Sequence, residues 1–376
     1  MKLALVISSL GPGGAERILV ILANSWASRG YDVSLFTFDD GTAVPAYDLD
    51  KAIDHRPLDL ARDSANPLFG ALNNLWRIAR LNRELRHAAP TAVVSFIDRT
   101  NVLVLLASFG VDAPVVVSER VDPTRYDIGW AWRLLRRWSY RRAASIVVQT
   151  ASALQHLPKR LRKRAVVIPN PVVVPSPDRA PGSRAQDGRG KMVLAMGRLV
   201  RQKGFDLLVR AFSRISSRHS DWSLVIWGDG EERHGLEAMR DELGLANRVS
   251  LPGTTRRPYD EMRRADLFVL SSRFEGFPNA LCEAMACGMA VIASDCPSGP
   301  RDIIADDING VLVAVDDTDA LSRAMDRLMS DDGVRERLGS RAIEVSERFS
   351  LENSIAAWDN LLESLTAKHR NASAAQ

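Results

Sequence analysis

Four side chains offer the plainest chemistry. Glu275 and Glu283 stand eight positions apart, and Arg198 and Lys203 stand five apart across a glycine-punctuated turn. A carboxylate accepts hydrogen bonds from paired hydroxyls, such as those of a ribose or a hexose. Two fixed cations can clamp a diphosphate and stabilise the charge that gathers on it as it leaves. Two glutamates at this spacing are ordinarily solvated surface residues, so the flanking pattern has to decide.

Both pairs sit where strands end. Residues 265–271 (A-D-L-F-V-L-S) are a short apolar run that reads as a buried strand. Glu275 follows in a loop punctuated by Gly276 and Pro278. A helix is predicted to start near Asn279 as N-cap, to run through Leu281, Ala284 and Met285, and to stop at Gly288 before a second buried strand at 289–294. Arg198 follows a strand at 193–196 and precedes a helix marked by Phe205, Leu208, Val209 and Phe212. Loops at the carboxyl ends of strands are where open α/β sheets bind ligands, and free amides at a helix start suit an anion or a sugar hydroxyl.

The rest of the chain repeats this pattern. A strand at 2–10, the Gly11-Pro12-Gly13-Gly14 loop, a helix at 15–29 and a strand at 31–38 open a parallel doubly wound sheet. The loop is not G-x-G-x-x-G, which argues against a dinucleotide site, but its glycines let backbone amides approach a phosphate. Further strands are expected at 92–96, at 114–118 just before Glu119 and Arg120, and at 144–149. Residues 170–189 are rich in Pro, Gly, Ser and charge and read as a linker. The expected domains are 1–172 and 173–352, facing a cleft. An amphipathic helix at about 353–370 should pack back on the first, and a loose tail at 371–376 should follow.

Composition narrows the classes. No run of about 18 apolar residues suggests a membrane span. The apolar start leads straight into a glycine loop, so it reads as a first strand rather than a signal peptide. Cys282, Cys287 and Cys296 make an odd, sparse set without disulfide or zinc spacing. Asp48 and Asp50 read as solvated loop, and no metal is implied. Residues 1–172 carry 23 Lys and Arg against 15 Asp and Glu, whereas residues 173–376 carry 27 against 31, so the first half favours an anionic partner. In residues 130–142, Trp130, Leu134 and Trp138 share one helical stripe and Arg133, Arg137 and Arg141 the next. That suits an anionic membrane surface. A core-packed helix with a solvated basic face fits equally. No nucleic-acid recognition motif accompanies the charge.

Four segments together resemble the retaining family-four glycosyltransferases of the GT-B fold. They are E-G-F-P-N-A-L-C-E-A-M-A-C-G from Glu275, G-R-L-V-R-Q-K-G-F-D from Gly197, G-P-G-G-A-E-R from Gly11 and V-I-P-N-P-V from Val167. The resemblance implies two Rossmann-like domains and a nucleotide-sugar donor, needing no metal. It implies that Glu283 binds ribose hydroxyls, that Glu275 and the amides of Phe277, Asn279, Ala280 and Leu281 hold the donor sugar, and that Arg198 and Lys203 hold the diphosphate. Leu251 and Thr254 would lie by the base, and Gly13 and Gly14 would admit the phosphate. Many members carry a histidine where this chain has Glu119, so Glu119 is either a catalytic residue orienting the acceptor or half of an ion pair with Arg120. The implied activity moves a hexose or N-acetylhexosamine from UDP to a lipid-linked glycan, by a protein peripheral on the cytoplasmic membrane face. The rivals are a non-catalytic sugar-nucleotide-binding scaffold and a GT-B epimerase.

Overall fold

A computed structural model describes residues 1–61, 67–120, 128–173 and 190–374. Most of the segment expected as a linker, 174–189, lies outside the described residues. The chain divides into two compact units, Met1–Asn170 with Glu352–Gln376, and Pro171–Leu351.

The first unit holds a parallel sheet of β1 (Lys2–Ile7), β2 (Asp32–Thr37), β3 (Asp54–Pro57), β4 (Ala92–Phe96), β5 (Val115–Ser118), β6 (Ser145–Val148) and β7 (Ala165–Val167). Its order is β3-β2-β1-β4-β5-β6-β7. The inner strands are almost continuous runs of Val, Leu, Ile and Ala and are buried on both faces, as parallel strands under helices must be. Four helices matter below: α1 (Gly14–Ser28), α2 (Pro67–Ala88), α3 (Asp98–Ala107) and α4 (Trp130–Ser139). The helix Leu351–Ala374 carries Trp358 into this unit, edge-on to Trp26 and stacked on Phe96, with ring centroids 6.2 Å apart in each case. Asp359 fixes its pitch by accepting from Trp26 Nε1 at 2.9 Å and from Arg29 Nη1 at 2.5 Å.

The second unit holds β8 (Lys191–Met196), β9 (Trp222–Trp227), β10 (Val249–Gly253), β11 (Leu267–Leu270), β12 (Ala290–Ser294) and β13 (Val311–Val313), again parallel, in the order β10-β9-β8-β11-β12-β13. One face packs under the helices Phe205–Ile215 and Thr318–Ser330, the other under Asn279–Ala286. Both sheets are doubly wound, as expected. Strand order reverses between β1 and β4 in the first and between β8 and β11 in the second. The crevice outside the carboxyl ends of such neighbours is the ligand position of the fold class. The segments after β8 and β11 are residues 197–204 and 271–275, which contain Arg198, Lys203 and Glu275.

Three local expectations change. Pro278, not Asn279, holds the cap position of the helix Asn279–Ala286, because Pro278 is non-helical (φ −80°, ψ 78°) and Asn279 is already helical. The helix from Trp130 stops at Ser139 and tightens into a 3-10 turn, Tyr140–Arg142, as the Tyr140 side chain is drawn into the core. The expected loose tail is helical through Ala374, since residues 371–374 contain no breaker and two good helix formers, Ala372 and Ala374. Among the described residues, no helix is long and apolar enough to cross a membrane.

Candidate functional site

In the second unit, backbone closeness comes first. Gly204 caps the helix Phe205–Ile215 in the left-handed region at φ +63°, and a Cβ there would lie 2.1 Å from the carbonyl oxygen of Ser271. Only glycine lets the two loops touch. Side chains then lace them. Ser271 Oγ donates to Lys203 O at 2.9 Å, Gln202 Nε2 to Phe274 O at 2.8 Å, and the amide of Arg273 to Gln202 O at 2.8 Å. Arg273 also forks onto Asp206 at 2.8 and 2.7 Å and reaches Asp316 at 2.8 Å. Gly228, at φ +148°, presses a third loop against the carbonyl of Gly197.

This scaffold brings Lys203 and Glu275 together. Lys203 Nζ donates to Glu275 Oε1 at 2.7 Å, and Ser272 Oγ donates to the same oxygen at 2.6 Å. Glu275 is buried, and Lys203 is largely so. Arg198 projects from the same loop as Lys203, is exposed and bonds to no other side chain among the described residues. Glu283 lies within the helix Asn279–Ala286 and is buried, not a solvated surface residue. Burial pushes the thiol of its neighbour Cys282 well up, and does the same to Cys296 beside the Lys203–Glu275 pair, so both thiols stay protonated and unreactive.

The remaining second-unit residues serve through backbone more than side chain. Phe277 is buried against Phe349, rings 5.6 Å apart at 80°. The amides of Leu281 and Cys282 are taken by Pro278 O at 3.0 and 3.2 Å, and that of Asn279 by Phe277 O at 2.9 Å. Among the described residues, no backbone carbonyl takes the Ala280 amide of that first turn. Leu251 is buried in the core, and its carbonyl accepts from Arg233 Nη1 at 3.0 Å, while Thr254 is exposed. Among the described residues, no group of three or more His, Cys, Asp or Glu is placed to hold a metal ion.

In the first unit, Gly13 caps α1 and Gly14 is its first helical residue. The Glu16 carboxylate folds back over Gly13, coming within 1.9 Å of where a Cβ would stand. At the carboxyl end of β5, Glu119 does not pair with Arg120. Its Oε1 accepts from Arg136 Nη2 of α4 at 3.0 Å and from the Tyr140 hydroxyl, partners 17 and 21 residues further along the chain. Oε2 is buried without a partner. Burial raises the carboxyl's pKa, while Arg136 and the Tyr140 bond oppose the rise. Asn101 Nδ2 ties the cluster to Ser118 O at 3.0 Å and to the Tyr140 hydroxyl at 3.2 Å. Beside it, Ile97 is held at φ +75°, a strained value for a β-branched residue, just before the buried Asp98.

Sequence reasoning did not find Ser272, Gln202 or Arg273, which orient the Lys203–Glu275 pair, nor Arg136 and Tyr140. The signal for Arg136 was its place off the basic stripe of Arg133, Arg137 and Arg141. On α4, Trp130, Leu134 and Trp138 are exposed to 75, 62 and 51%. That stripe is therefore not packed in the core, which the helix meets through Trp132 instead, with Arg133 and Arg137 exposed.

Residues 178–345 match the family "Glycosyl transferases group 1", and residues 13–171 match "Glycosyl transferase 4-like domain". A Campylobacter jejuni protein described as N-acetylgalactosamine-N,N'-diacetylbacillosaminyl-diphospho-undecaprenol 4-alpha-N-acetylgalactosaminyltransferase is 28% identical over 91% of this chain and 93% of its own. A second from the same organism, GalNAc-alpha-(1->4)-GalNAc-alpha-(1->3)-diNAcBac-PP-undecaprenol alpha-1,4-N-acetyl-D-galactosaminyltransferase, is 27% identical over 96% and 98%. The structure of Anabaena HepE in complex with UDP superposes with a TM-score of 0.79 at 20% identity, covering 97% of this chain and 100% of that one. Sucrose-phosphate synthase of Thermosynechococcus elongatus gives 0.81 at 19% identity over all of both chains. The two family matches adjoin and together run through most of the sequence, both units are the doubly wound sheets of that fold, and the chain is a glycosyltransferase of GT-B architecture that joins a glycosyl transferase 4-like domain to a group 1 domain.

Proposed function

We propose that the chain transfers an N-acetylhexosamine or hexose from a UDP-sugar, with retention and without metal, to a glycan carried on a lipid diphosphate in bacterial polysaccharide or oligosaccharide assembly. The observation that carries this reading is the Lys203–Glu275 pair at the switch point of the second sheet, with Arg198 on the same loop and Glu283 buried in the helix beyond. Lys203 and Arg198 neutralise the departing diphosphate. Glu283 accepts the ribose hydroxyls. Glu275 and the Ala280 amide hold the sugar, with Phe277, Asn279 and Leu281 shaping the turn around it. The backbone near Leu251 and Thr254 meets the base. Gly13 and Gly14 keep the start of α1 open to phosphate. Glu119 anchors α4 through Oε1 and offers Oε2 to an acceptor hydroxyl.

The relatives' descriptions, with undecaprenol diphosphate acceptors and N-acetylgalactosaminyl transfer, favour this substrate class. The exposed Trp130, Leu134 and Trp138, beside exposed Arg133, Arg137 and Arg141, favour peripheral attachment to an anionic membrane at the cytoplasmic face. The test is calorimetric titration of the wild type and Glu283→Ala with UDP and GDP in metal-free buffer, then transfer from UDP-sugars. UDP binding that is lost in the variant supports the reading. A folded wild type that binds neither nucleotide sinks it.

A further inference from the structure

Arg120 follows β5 at the carboxyl end of the first sheet, beside β4, which borders the switch point. Several other inward-turned cations face acids: Lys203 meets Glu275 at 2.7 Å, Arg136 meets Glu119 at 3.0 Å, and Arg335 meets Asp332, while Arg248 is taken up by the backbone carbonyls of His219 and Trp222. Arg120 faces none among the described residues. Nη1 donates to Asn170 Oδ1, and the guanidinium lies over the Phe96 ring, 3.7 Å from its centroid. Nε is buried and bonds to nothing, and among the described residues the only hydrogen bond from the guanidinium is that of Nη1, which leaves Nη2 unengaged. The adjacent carboxylate, Glu119, is spent on Arg136 and Tyr140.

A guanidinium stays protonated in proteins. Burying one without an acid therefore costs free energy that a ring face and one amide oxygen offset only in part. Burial accordingly pulls the basicity of Arg120 down from the ordinary arginine value. The unoccupied edge, Nε with Nη2, is the edge that grips phosphate or carboxylate with two parallel hydrogen bonds.

We propose that Arg120 is an anion-binding residue whose free Nε–Nη2 edge receives a phosphoryl group of a diphosphate-bearing substrate. The assignment rests on the transfer reading above, in which the donor and the lipid-linked acceptor each carry a diphosphate. Either can supply the group, and the two are separable.

The experiment titrates the full chain with UDP, with farnesyl diphosphate and with farnesol, comparing wild type, Arg120→Met and Arg120→Lys. The expected result is that Met weakens one diphosphate by about ten- to hundredfold, that Lys recovers part of the loss, and that farnesol is unaffected. Loss confined to UDP names the donor as the source, and loss confined to farnesyl diphosphate names the acceptor. Wild-type affinity for both in the Met variant, with only a lower melting temperature, overturns the proposal and leaves Arg120 a prop on Phe96. A wild type that binds neither diphosphate also overturns it. Should the Met variant fail to fold, Arg120→Lys decides, with several-fold weaker binding expected because one compact ammonium replaces the fork. A wild type that binds farnesyl diphosphate through Arg120 yet transfers no sugar defeats the transfer reading and leaves this assignment standing.

Discussion

Lys203 and Glu275 satisfy each other at 2.7 Å, although the proposed function gives each a different part of the donor. Under the proposed function, a phosphate arriving at Lys203 would compete with Glu275 and release that carboxylate toward sugar hydroxyls. Glu275→Gln removes the competitor. UDP affinity should hold or rise a few-fold while turnover falls about a hundredfold or more, because the sugar contact strengthens in the transition state. Calorimetry beside single-turnover transfer checks both, and a tenfold loss of UDP affinity would mean that Glu275 is needed to place Lys203. Gly204→Ala tests the loop contact. The left-handed backbone and the overlap with Ser271 O should cost about 2–4 kcal/mol, read as a lower denaturant midpoint. The cysteines predict silence. Burial raises all three thiols, so a thiol reagent at pH 8 should react slowly with native protein and quickly with all three once it is unfolded.

Elements were readable where burial wrote them. β5, β11 and β12 are unbroken apolar runs, and the helix Phe205–Ile215 shows its buried stripe at Phe205, Leu208, Val209 and Phe212. β3 and β13 were not. β3 is D-H-R-P on a sheet edge, where only one side needs pairing and charge and proline are tolerated, and β13 has three residues. Glu275, Glu283, Arg198 and Lys203 stood out by spacing and motif, but Glu119's true partners did not, because an ion pair spanning 17 residues leaves no periodic mark. α4 joins the two kinds of evidence. Its apolar stripe was read from sequence, its exposure from structure, and its anchor at Arg136 from structure alone. Trp138→Ser and Arg137→Gln together should weaken sedimentation with phosphatidylglycerol vesicles at least several-fold and leave UDP binding unchanged. Arg136→Met should instead destabilise the fold by about 3 kcal/mol or more, since it strands the buried Glu119 carboxylate.

At the scale of the molecule, the chain's last helix completes its first unit. Trp358 is 1% exposed, stacked on Phe96, whose ring also carries the guanidinium of Arg120. A column of Trp358, Phe96 and Arg120 thus runs from the C-terminal helix to the ligand end of β4 and β5. Trp358→Ala should remove about 3–5 kcal/mol from the first unit by opening a large cavity between Trp26 and Phe96. Arg198, Lys203 and Glu283 all lie within Pro171–Leu351, whose two cores contain no residue of that column. The variant should therefore melt in two steps by calorimetry, with the lower transition moved down and the upper one still raised by UDP through mass action. A single transition that falls as a whole and no longer responds to UDP would show that the two units are one cooperative body. The donor residues would then depend on the C-terminal helix for more than chain connectivity.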